Sequence, residues 1–275
     1  MIAIVVPDIS IPIVFFCEKN TLSMSLFSST SIAVLSSCDT VMNEARRRFE
    51  AGNFPVNASV ISRTQSVGRG THGRAWVSTE GNLYAALRLD AGLMQAGLLA
   101  PQLVSACLLR VVKDLGVEAK LKWPNDLVIN VPGKGWCKAA GILLERKGEL
   151  LTAGIGLNLV TSPTAAAMRE GAALPAASLA EILPASSVPD PLSFWENFLR
   201  VFLAFRRRFP GKPAPDLWVH ELLWLNEPVT LTIRGTAIEG VLTGLNAAGE
   251  ILIATPEGEK AFFEGSLAAR TKTGN

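Results

Sequence analysis

Apolar residues recur every three or four positions in four segments, and this period predicts four helices, at 41–51, 101–116, 191–209 and 215–224. Asp39 or Thr40 can cap the first helix, and Gly52 ends it. Pro101 falls in the first turn of the second helix, and Gly116 closes it. The pattern therefore predicts three long helices and one shorter helix.

Short apolar runs bounded by turn residues predict strands, at 58–63, 82–89, 118–122, 127–131, 138–146 and 149–159. Lys147-Gly148 is typical of a hairpin turn between the last two strands. Because these connections are short, they favour a largely antiparallel or mixed sheet with helices packed on one face. The segment 161–190 is rich in alanine, proline and serine, and we expect a loop with one short helix.

The pattern changes near residue 226, which suggests a second domain. Short β segments from 227 to 270 are separated by Arg234-Gly235, Ala248-Gly249 and Glu257-Gly258. This spacing predicts a small β-barrel of about 40 residues, which needs to dock on its neighbour to be stable. We therefore divide the chain into an N-terminal extension (1–35), a main domain (36–225) and a C-terminal domain (226–275).

The N-terminal extension begins with an apolar stretch, residues 1–16, that contains Asp8, Pro7 and Pro12 and has no basic leader. It fits neither a signal peptide nor a membrane-spanning helix, which needs about 20 apolar residues. We expect an added strand or a poorly ordered tail, and no membrane anchor.

Composition restricts the classes of function. Hydrophobic residues make up 49% of the 275 residues, and the net charge is only +2. A sizeable core is therefore expected, and a general nucleic-acid or membrane partner is not. The two histidines exclude a site with three histidine ligands. The scattered cysteines are expected to be small buried residues in a reducing cytosol; they are Cys17, Cys38, Cys107 and Cys137.

A glycine-rich stretch lies between two predicted strands and carries the first candidate chemistry. It runs from Gln65 through Gly68, Arg69 and Arg74 to Trp76. Glycines let the backbone approach a ligand closely, and arginines supply planar, charged donors for a carboxylate or phosphate. The stretch does not open a helix, so it is neither a P-loop nor a dinucleotide-binding motif. Taken alone, it is equally compatible with a solvated basic turn.

The second candidate is Lys122-Trp123-Pro124-Asn125-Asp126, in which Pro124 turns the chain. Asn125 and Asp126 lie at this turn, where a carboxylate can hold a metal bound to nucleotide phosphates. The same residues also make an ordinary turn sequence, and that interpretation stays open.

Two further strands carry polar residues. Lys138 opens a strand of buried character, in which Gly141 and Ile142 can lie against a ligand. The strand Gly154-Ile155-Gly156-Leu157 finishes at Asn158, whose amide can bond a polar ligand group. A solvated strand end at Lys138 and a simple strand-ending asparagine are the structural alternatives.

In order, the motifs GRG-x-x-GR-x-W, KWPND, K-x-x-GIL-x-E and GIG-x-N resemble the catalytic domain of biotin–protein ligases over residues 36–270. The resemblance implies an α+β fold. Its mixed sheet is backed by helices, as in class II tRNA-synthetase catalytic domains, and a small C-terminal SH3-like β-barrel follows. It also implies an ATP-dependent ligase that forms biotinyl-5′-AMP and transfers biotin to a lysine of a biotin carboxyl carrier protein.

The resemblance implies a role for each matched residue. The residues expected at biotin are Thr40, Gln65, Gly68, Arg69, Gly141 and Ile142. The residues expected at ATP are Arg74, Trp76, Lys122, Asn125, Asp126 and Asn158. Asn125 and Asp126 would also lie near Mg²⁺. Lys138, Arg69 and Lys122 are expected to be catalytic because their charges offset the repulsion between the biotin carboxylate and the α-phosphate.

The chain departs from the family pattern at two places. The usual Ser-Thr before the first helix is Thr40-Val41 here, which keeps only one hydroxyl. The loop carries Thr71-His72 where arginines are common, which bears on how firmly the intermediate is held.

Three rival functions remain. A lipoate or octanoyl ligase shares the fold, although such enzymes usually lack the KWPND pairing. A DNA-binding repressor would need a winged helix before residue 36, where the chain is apolar and poor in lysine and arginine. A noncatalytic biotin-binding module would not need Lys122, Asp126 and Lys138. We therefore expect a cytoplasmic enzyme that binds neither DNA nor membrane, as a monomer or a homodimer.

Overall fold

The structure is a computed structural model that describes residues 31–164 and 174–270. The predicted strand or tail at 1–16 lies outside these residues. In the described part of the chain the α-helices are α1 (Val41–Glu50), α2 (Leu99–Asp114) and α3 (Pro191–Arg208). The strands of the main domain are β1 (Ile32–Leu35), β2 (Ser59–Ser62), β3 (Leu83–Arg88), β4 (Ala119–Lys122), β5 (Asp126–Val131), β6 (Gly135–Lys147) and β7 (Leu150–Leu157).

These strands form one mixed sheet in the order β1-β2-β3-β7-β6-β5-β4. Only β1 and β2 pair in parallel, and each other neighbouring pair is antiparallel. The prediction of a mixed sheet is confirmed. The sequence analysis had no strand at Ile32–Leu35, but this segment pairs with β2 and extends the sheet at its edge.

The two faces of the sheet carry different helices. Along β3, Leu83, Ala85 and Leu87 belong to the core beneath α2 and α3, whereas Tyr84 and Ala86 belong to a smaller cluster beneath α1. Successive side chains of a strand point to opposite faces, so α1 lies on the face opposite α2 and α3. The expectation that all helices pack on one face is therefore wrong for α1.

Local sequence accounts for the helix ends. Thr40 caps α1, because its Oγ1 accepts a hydrogen bond from Asn43 N at 3.0 Å. Asp190 caps α3 by accepting from Leu192 N and Ser193 N. The Ser193 hydroxyl and these two N–H groups stabilise the ionised carboxylate, so the pKa of Asp190 is lowered. Gly52 follows the end of α1 in the left-handed region, at φ +74°.

The predicted helix at 215–224 does not form. The chain makes two short 3₁₀ turns there, Pro215–Leu217 and Val219–Glu221, separated at Trp218 by a φ of −144°. Trp218 is 1% exposed, and its indole donates a hydrogen bond to Gln102 Oε1 of α2 at 3.3 Å. The non-helical backbone that buries this ring breaks the helical period. The described part of 161–190 likewise holds short 3₁₀ turns, Leu179–Glu181 and Ala185–Ser187.

The C-terminal domain is an antiparallel sheet of β8 (Pro228–Ile233), β9 (Thr236–Leu245), β10 (Ile251–Thr255), β11 (Gly258–Phe262) and β12 (Ser266–Ala269). Its strand order is β11-β10-β9-β8-β12, which is consistent with an SH3-like domain. Within the described residues β11 and β12 are edge strands, so the sheet is not closed into a barrel. The predicted turns are confirmed, with positive φ at Arg234, Gly235, Gly249 and Gly258.

Two expectations from composition also have an outcome. Cys107 and Cys137 are buried, Cys38 is partly buried, and Cys17 lies outside the described residues. Burial raises the pKa of Cys107 to about 12. Within the described ranges, no helix has the length and apolar character needed to span a membrane.

Arg206 of α3 joins this helix to the loop that follows β3. Its Nε and Nη2 donate to the carboxylate of Asp90, both at 2.9 Å. Its remaining N–H groups donate to the carbonyl oxygens of Phe209, Pro210 and Gly211. The Arg206 side chain is 9% exposed. The guanidinium thus closes the end of α3 and ties it to the sheet.

We expect Arg206→Lys to lower the free energy of unfolding by roughly 2 kcal/mol, because lysine keeps the charge but cannot reproduce the planar fork of donors. Urea unfolding followed by circular dichroism measures this change. Arg207→Lys is the control, since Arg207 is exposed on the same helix. Equal stability of the two variants would show that the Arg206 network is not structural.

Candidate active site

A cavity of about 520 Å³ lies between α1, the glycine-rich segment and strands β5 to β7. The predicted site residues that line it are Thr40, Gln65, Arg69, Arg74, Trp76, Lys122, Asn125, Asp126, Lys138, Gly141, Ile142 and Asn158. Thr40 and residues from four separate motifs, as much as 118 positions apart in the chain (Thr40 to Asn158), therefore meet at one site. The volume falls within the usual range for a small-molecule site.

Gly68 is the predicted residue that does not line the cavity. Its carbonyl accepts a hydrogen bond from Trp76 N at 2.8 Å. A Cβ at Gly68 would lie 2.5 Å from Trp76 O, so only glycine permits this close pairing. Gly68 therefore supports Trp76 behind the wall of the cavity, and its expected contact with biotin stays a prediction.

Glycines on β6 and β7 make room for side chains that cover the sheet. A Cβ at Gly156 would meet Trp76 Cε2 at 2.4 Å, and a Cβ at Gly141 would meet Trp76 Cζ3 at 3.1 Å. On the same face, a Cβ at Gly154 would meet Met42 Sδ at 2.6 Å. The indole of Trp76 therefore lies flat against two strands, and its Nε1 is buried without a hydrogen-bond partner among the described residues.

The cavity is positively charged. Its charged lining residues, within the described ranges, are the cations Arg69, Arg74, Lys122 and Lys138 and one carboxylate, Asp126. Lys138 Nζ lies 2.6 Å from Asp126 Oδ1 and 5.7 Å from the centre of the Trp76 ring. The excess of positive charge in a concave site favours an anionic ligand. Sequence alone left Lys138 as a possible solvated strand end, but its ammonium faces the cavity.

Asn125 positions the turn that follows Trp123-Pro124. Its side-chain Nδ2 donates to Ile142 O at 2.6 Å, and its backbone carbonyl oxygen accepts from Ile142 N at 3.0 Å. These bonds fix the turn against β6. Asp126, the next residue, begins β5 and faces the cavity.

Arg69 is oriented by residues that the sequence analysis did not single out. Its Nη2 donates to Asn43 Oδ1 at 3.0 Å, and Asn43 Nδ2 donates to Asp39 Oδ2 at 2.7 Å. Arg47 Nη2 donates to the other oxygen of Asp39 at 2.7 Å. The Arg47 guanidinium holds the pKa of Asp39 well below its usual range, so this carboxylate stays ionised as the pH falls below neutrality. Asn43 is three residues beyond Thr40, on the face of α1 that turns toward the loop, and helical spacing is the signal that could have found it.

Gln65 and Thr40 are tied to the start of α1. Gln65 Oε1 accepts from Val41 N at 2.9 Å, and its Nε2 donates to Ser78 Oγ at 3.0 Å. Thr40 is 1% exposed and caps the helix. Both side chains line the cavity from fixed positions. Thr71, at the place where the family often has arginine, lines the cavity too, from a 3₁₀ turn.

Asn158 is a buried residue that directly follows β7 and lines the cavity. It is 3% exposed, and its Nδ2 donates to Ala177 O at 3.1 Å. The segment around Ala177 pairs with Lys138: Lys138 N donates to Pro175 O at 2.7 Å, and Ala177 N donates to Lys138 O at 3.0 Å. Asn158 therefore helps to hold the segment that flanks the backbone of Lys138.

Several lining residues come from places that carry no motif. They are Val41, Met42, Pro163, Leu174, Ala176 and, from the C-terminal sheet, Ser266. Isolated small or apolar residues of this kind give no signal in a single sequence. Their position follows only from long-range packing, and Ser266 shows that the C-terminal sheet reaches the cavity.

The oxygen atoms of Asn125 and Asp126 fit a hard cation that takes most of its coordination from a bound substrate. Among residues 31–164 and 174–270, no group of three or more His, Cys, Asp or Glu residues could hold a metal. Asp126 supplies one carboxylate and Asn125 one amide oxygen. Mg²⁺ usually takes one or two protein carboxylates and completes its shell with phosphates and water. The residues present are thus sufficient only if a phosphate contributes.

Comparison with known proteins identifies the domain that holds this cavity. Residues 35–159 match the biotin/lipoate A/B protein ligase family. The chain is 29% identical to the biotin–[acetyl-CoA-carboxylase] ligase of Paracoccus denitrificans over 74% of this chain and 87% of that protein. It is 27% identical to the bifunctional ligase/repressor BirA of Bacillus subtilis over 78% of this chain and 67% of that protein.

Solved structures agree with this assignment of the fold. The biotin protein ligase from Aquifex aeolicus in complex with biotin and ATP superposes with a TM-score of 0.72 at 25% identity. The match covers 87% of this chain and 99% of that chain. Both the main domain and the C-terminal sheet therefore have counterparts in one known architecture.

The contact between Gly156 and Trp76 can be tested before any ligand is known. In Gly156→Ala the new methyl group must displace the indole, and we expect the tryptophan fluorescence to shift to longer wavelength as Trp76 becomes exposed. Gly211→Ala is the control, because a Cβ there meets nothing within 4 Å. The shift should vanish when Gly156→Ala is made in a Trp76→Phe background. An unchanged spectrum in Gly156→Ala would contradict the described packing.

Proposed function

Residues 35–159 of the chain are a domain of the biotin/lipoate A/B protein ligase family, and on that premise we propose that the chain is a biotin–protein ligase. It joins biotin to ATP as biotinyl-5′-AMP, releases pyrophosphate, and transfers the biotin to a lysine of a biotin carboxyl carrier protein. The observation that carries the proposal is the single cavity in which the four motifs meet, lined by an excess of cations.

The first reaction brings together two groups of the same charge. A carboxylate oxygen of biotin forms a bond to the α-phosphorus of ATP, and the bond from that phosphorus to the pyrophosphate oxygen breaks. Charge repulsion opposes this approach, and charge builds up on the phosphate oxygens in the transition state. Lys138, Arg69 and Lys122, which line the cavity, offset that charge. Lys138 is the central group, because its ammonium already faces an oxygen anion at 2.6 Å.

The residues that line the cavity divide between the two substrates. We assign Thr40, Gln65, Gly141 and Ile142 to biotin. We assign Lys122 and the turn that follows it, with Asn125 and Asp126, to ATP. Gly141 and Ile142 pair with this turn, so the two substrates would meet there. The remaining expected nucleotide contacts, Arg74, Trp76 and Asn158, also line the cavity. Arg69 would reach both the carboxylate and the α-phosphate.

Mg²⁺ would be held by the carboxylate of Asp126 and the amide oxygen of Asn125 together with the phosphates of ATP. When bound, it would neutralise phosphate charge and make pyrophosphate a better leaving group. The side chains act around it: Lys138 neutralises the reacting oxygens, and Asn125 keeps the turn in place through Ile142.

In the second reaction the ε-amine of an acceptor lysine attacks the acyl carbon of the adenylate, AMP leaves, and the amine loses a proton. The proposal includes the carrier protein as the acceptor, a cytoplasmic location where ATP is available, no DNA partner, and a homodimer as one possible assembly. The lysine must reach the cavity from its open side, which the glycine-rich loop borders.

Exchange of labelled pyrophosphate into ATP tests the proposed function directly. We expect exchange that depends on biotin and does not occur with lipoate or octanoate. The matched family also contains lipoate ligases, so exchange supported by lipoate or octanoate in place of biotin would replace this proposal with that rival. A wild-type protein that shows no exchange with any of these acids would refute both.

Lys138→Ala should lower the rate of biotin-dependent exchange by about 10²–10³-fold, because a charge that stabilises the transition state is lost. Lys120→Ala is the matched control, since Lys120 lies two residues before Lys122 but faces Glu221 and the carbonyl of His220 outside the cavity. Its rate should stay within about twofold of wild type, as expected for an exposed side chain. Near-normal exchange by Lys138→Ala would show that its role is misassigned.

A further inference from the structure

A backbone carbonyl of the C-terminal sheet is bonded inside the main domain. Gly249 O accepts a hydrogen bond from Gln102 Nε2 of α2 at 2.7 Å and from Trp123 Nε1 at 3.1 Å. The other end of the same amide, Gln102 Oε1, accepts from Trp218 Nε1 at 3.3 Å. The exposed fractions of Gln102, Trp123 and Trp218 are 4%, 2% and 1%. These bonds therefore join the two domains in an environment without solvent.

The turn that presents Gly249 is held by side-chain hydrogen bonds. It connects β9 to β10, and Asn246 Oδ1 accepts from Ala248 N at 2.9 Å and from Glu250 N at 3.1 Å. Gly249 has a φ of +80°, and a Cβ there would lie 3.0 Å from Leu99 Cδ2 and 3.1 Å from Gln102 Nε2. Only glycine allows this backbone shape and this approach to α2 together. The carbonyl is thus held at a defined position against the main domain.

Trp123, which donates to Gly249 O, belongs to the turn that we assign to ATP. Trp123 follows Lys122 and precedes Pro124, and Asn125 and Asp126 come next. The preceding strand β4 is also held from the C-terminal side, because Leu223 N donates to Leu121 O at 2.7 Å. β4 and the turn after it carry the side chains that we assign to ATP. They therefore pack against two segments: the one at Leu223, which leads into the C-terminal sheet, and the one at Gly249, which belongs to that sheet.

Apolar packing alone would not require a glutamine at this place. A buried amide costs free energy unless its donors and acceptors are bonded, whereas leucine or methionine would fill the space without that cost. The Gln102 amide meets both requirements, accepting from Trp218 and donating to Gly249. Directional bonds of this kind fix the orientation of the groups that they join.

We propose that Gln102 is a positioning residue for the reaction, through which the C-terminal sheet sets the place of Lys122, Asn125 and Asp126 at the nucleotide. Gln102 itself does not line the cavity. The inference rests on the proposed function, because that function assigns Lys122, Asn125 and Asp126 to ATP. It predicts that damage to the contact weakens the use of ATP and leaves the use of biotin largely intact.

The test compares three variants of the full chain in the exchange assay. Gln102→Met keeps the length of the side chain and removes its hydrogen bonds, and Trp123→Phe removes the indole donor. Trp195→Phe is the matched control: Trp195 is fully buried, and its Nε1 donates to Ser59 Oγ at 2.9 Å, away from the turn. Circular dichroism and thermal unfolding establish that each variant is folded. Calorimetry measures the affinity for ATP directly.

We expect Gln102→Met, which loses two buried hydrogen bonds, and Trp123→Phe, which loses one, each to raise the KM for ATP and the Kd for ATP by about tenfold or more. The KM for biotin should change by no more than about twofold in both variants. Trp195→Phe should lower thermal stability without changing either KM.

Two results would overturn the inference: parallel increases in both KM values, which indicate general loosening, or a Gln102→Met variant that behaves like Trp195→Phe. If Gln102→Met does not fold, Trp123→Phe decides by the same criteria. Failure of the proposed function is seen separately, in the wild-type protein, as the absence of biotin-dependent exchange. The calorimetric comparison of ATP affinities still decides about Gln102 in that case.

Discussion

The arrangement of the site depends on one requirement, that concentrated positive charge be kept in a cavity without unfolding the domain around it. The contact between Lys138 Nζ and Asp126 Oδ1 at 2.6 Å meets this requirement at the centre of the site. A lysine of a buried strand would otherwise face other cations with no counter-ion, and Asp126 supplies one. The same pair places an ammonium where an oxygen anion of a substrate can replace the carboxylate. Hydrogen bonds of Asn125 and Asn158 fix the segments next to these two residues, and the glycines of β6 and β7 leave room beside them.

Support for this pair comes from three directions in the fold. The backbone of Lys138 is bonded on one side to β5 and on the other to the segment at Pro175 and Ala177, which Asn158 holds. Asp126 starts β5 directly after the turn that Asn125 ties to β6. That turn lies over the docked C-terminal sheet. The second domain is therefore part of the structure that orders the cavity, and Ser266 even lines it.

Much of this architecture could be predicted from local sequence, because its signals are local. Thr40, Gly52 and the glycines of the β-hairpins act on their own neighbours in the chain, and they lie where the pattern placed them. The ordered motifs also predicted which side chains would meet, apart from Gly68, whose close pairing with Trp76 is visible only in three dimensions.

Features that depend on distant partners could not be predicted in this way. The four apolar residues of β1 carry no strand signal of their own, and only their pairing with β2 identifies them as a strand. The period at 215–224 is helical, but the demand for a buried Trp218 overrides it. Gln102 and Ser266 are single polar residues whose roles come from partners in other elements. A single sequence contains no record of such contacts.

The most direct test of the account is a crystal structure of the protein with a non-hydrolysable analogue of biotinyl-AMP. The account predicts density for the analogue in this one cavity, with the biotin bicycle beside Thr40 and Gln65 and the adenylate toward the turn at Asn125. Lys138 Nζ should have moved from Asp126 to within hydrogen-bond distance of the linkage between the acyl group and the phosphate. An analogue bound elsewhere, or bound here with Lys138 still paired to Asp126 and distant from the linkage, would contradict it.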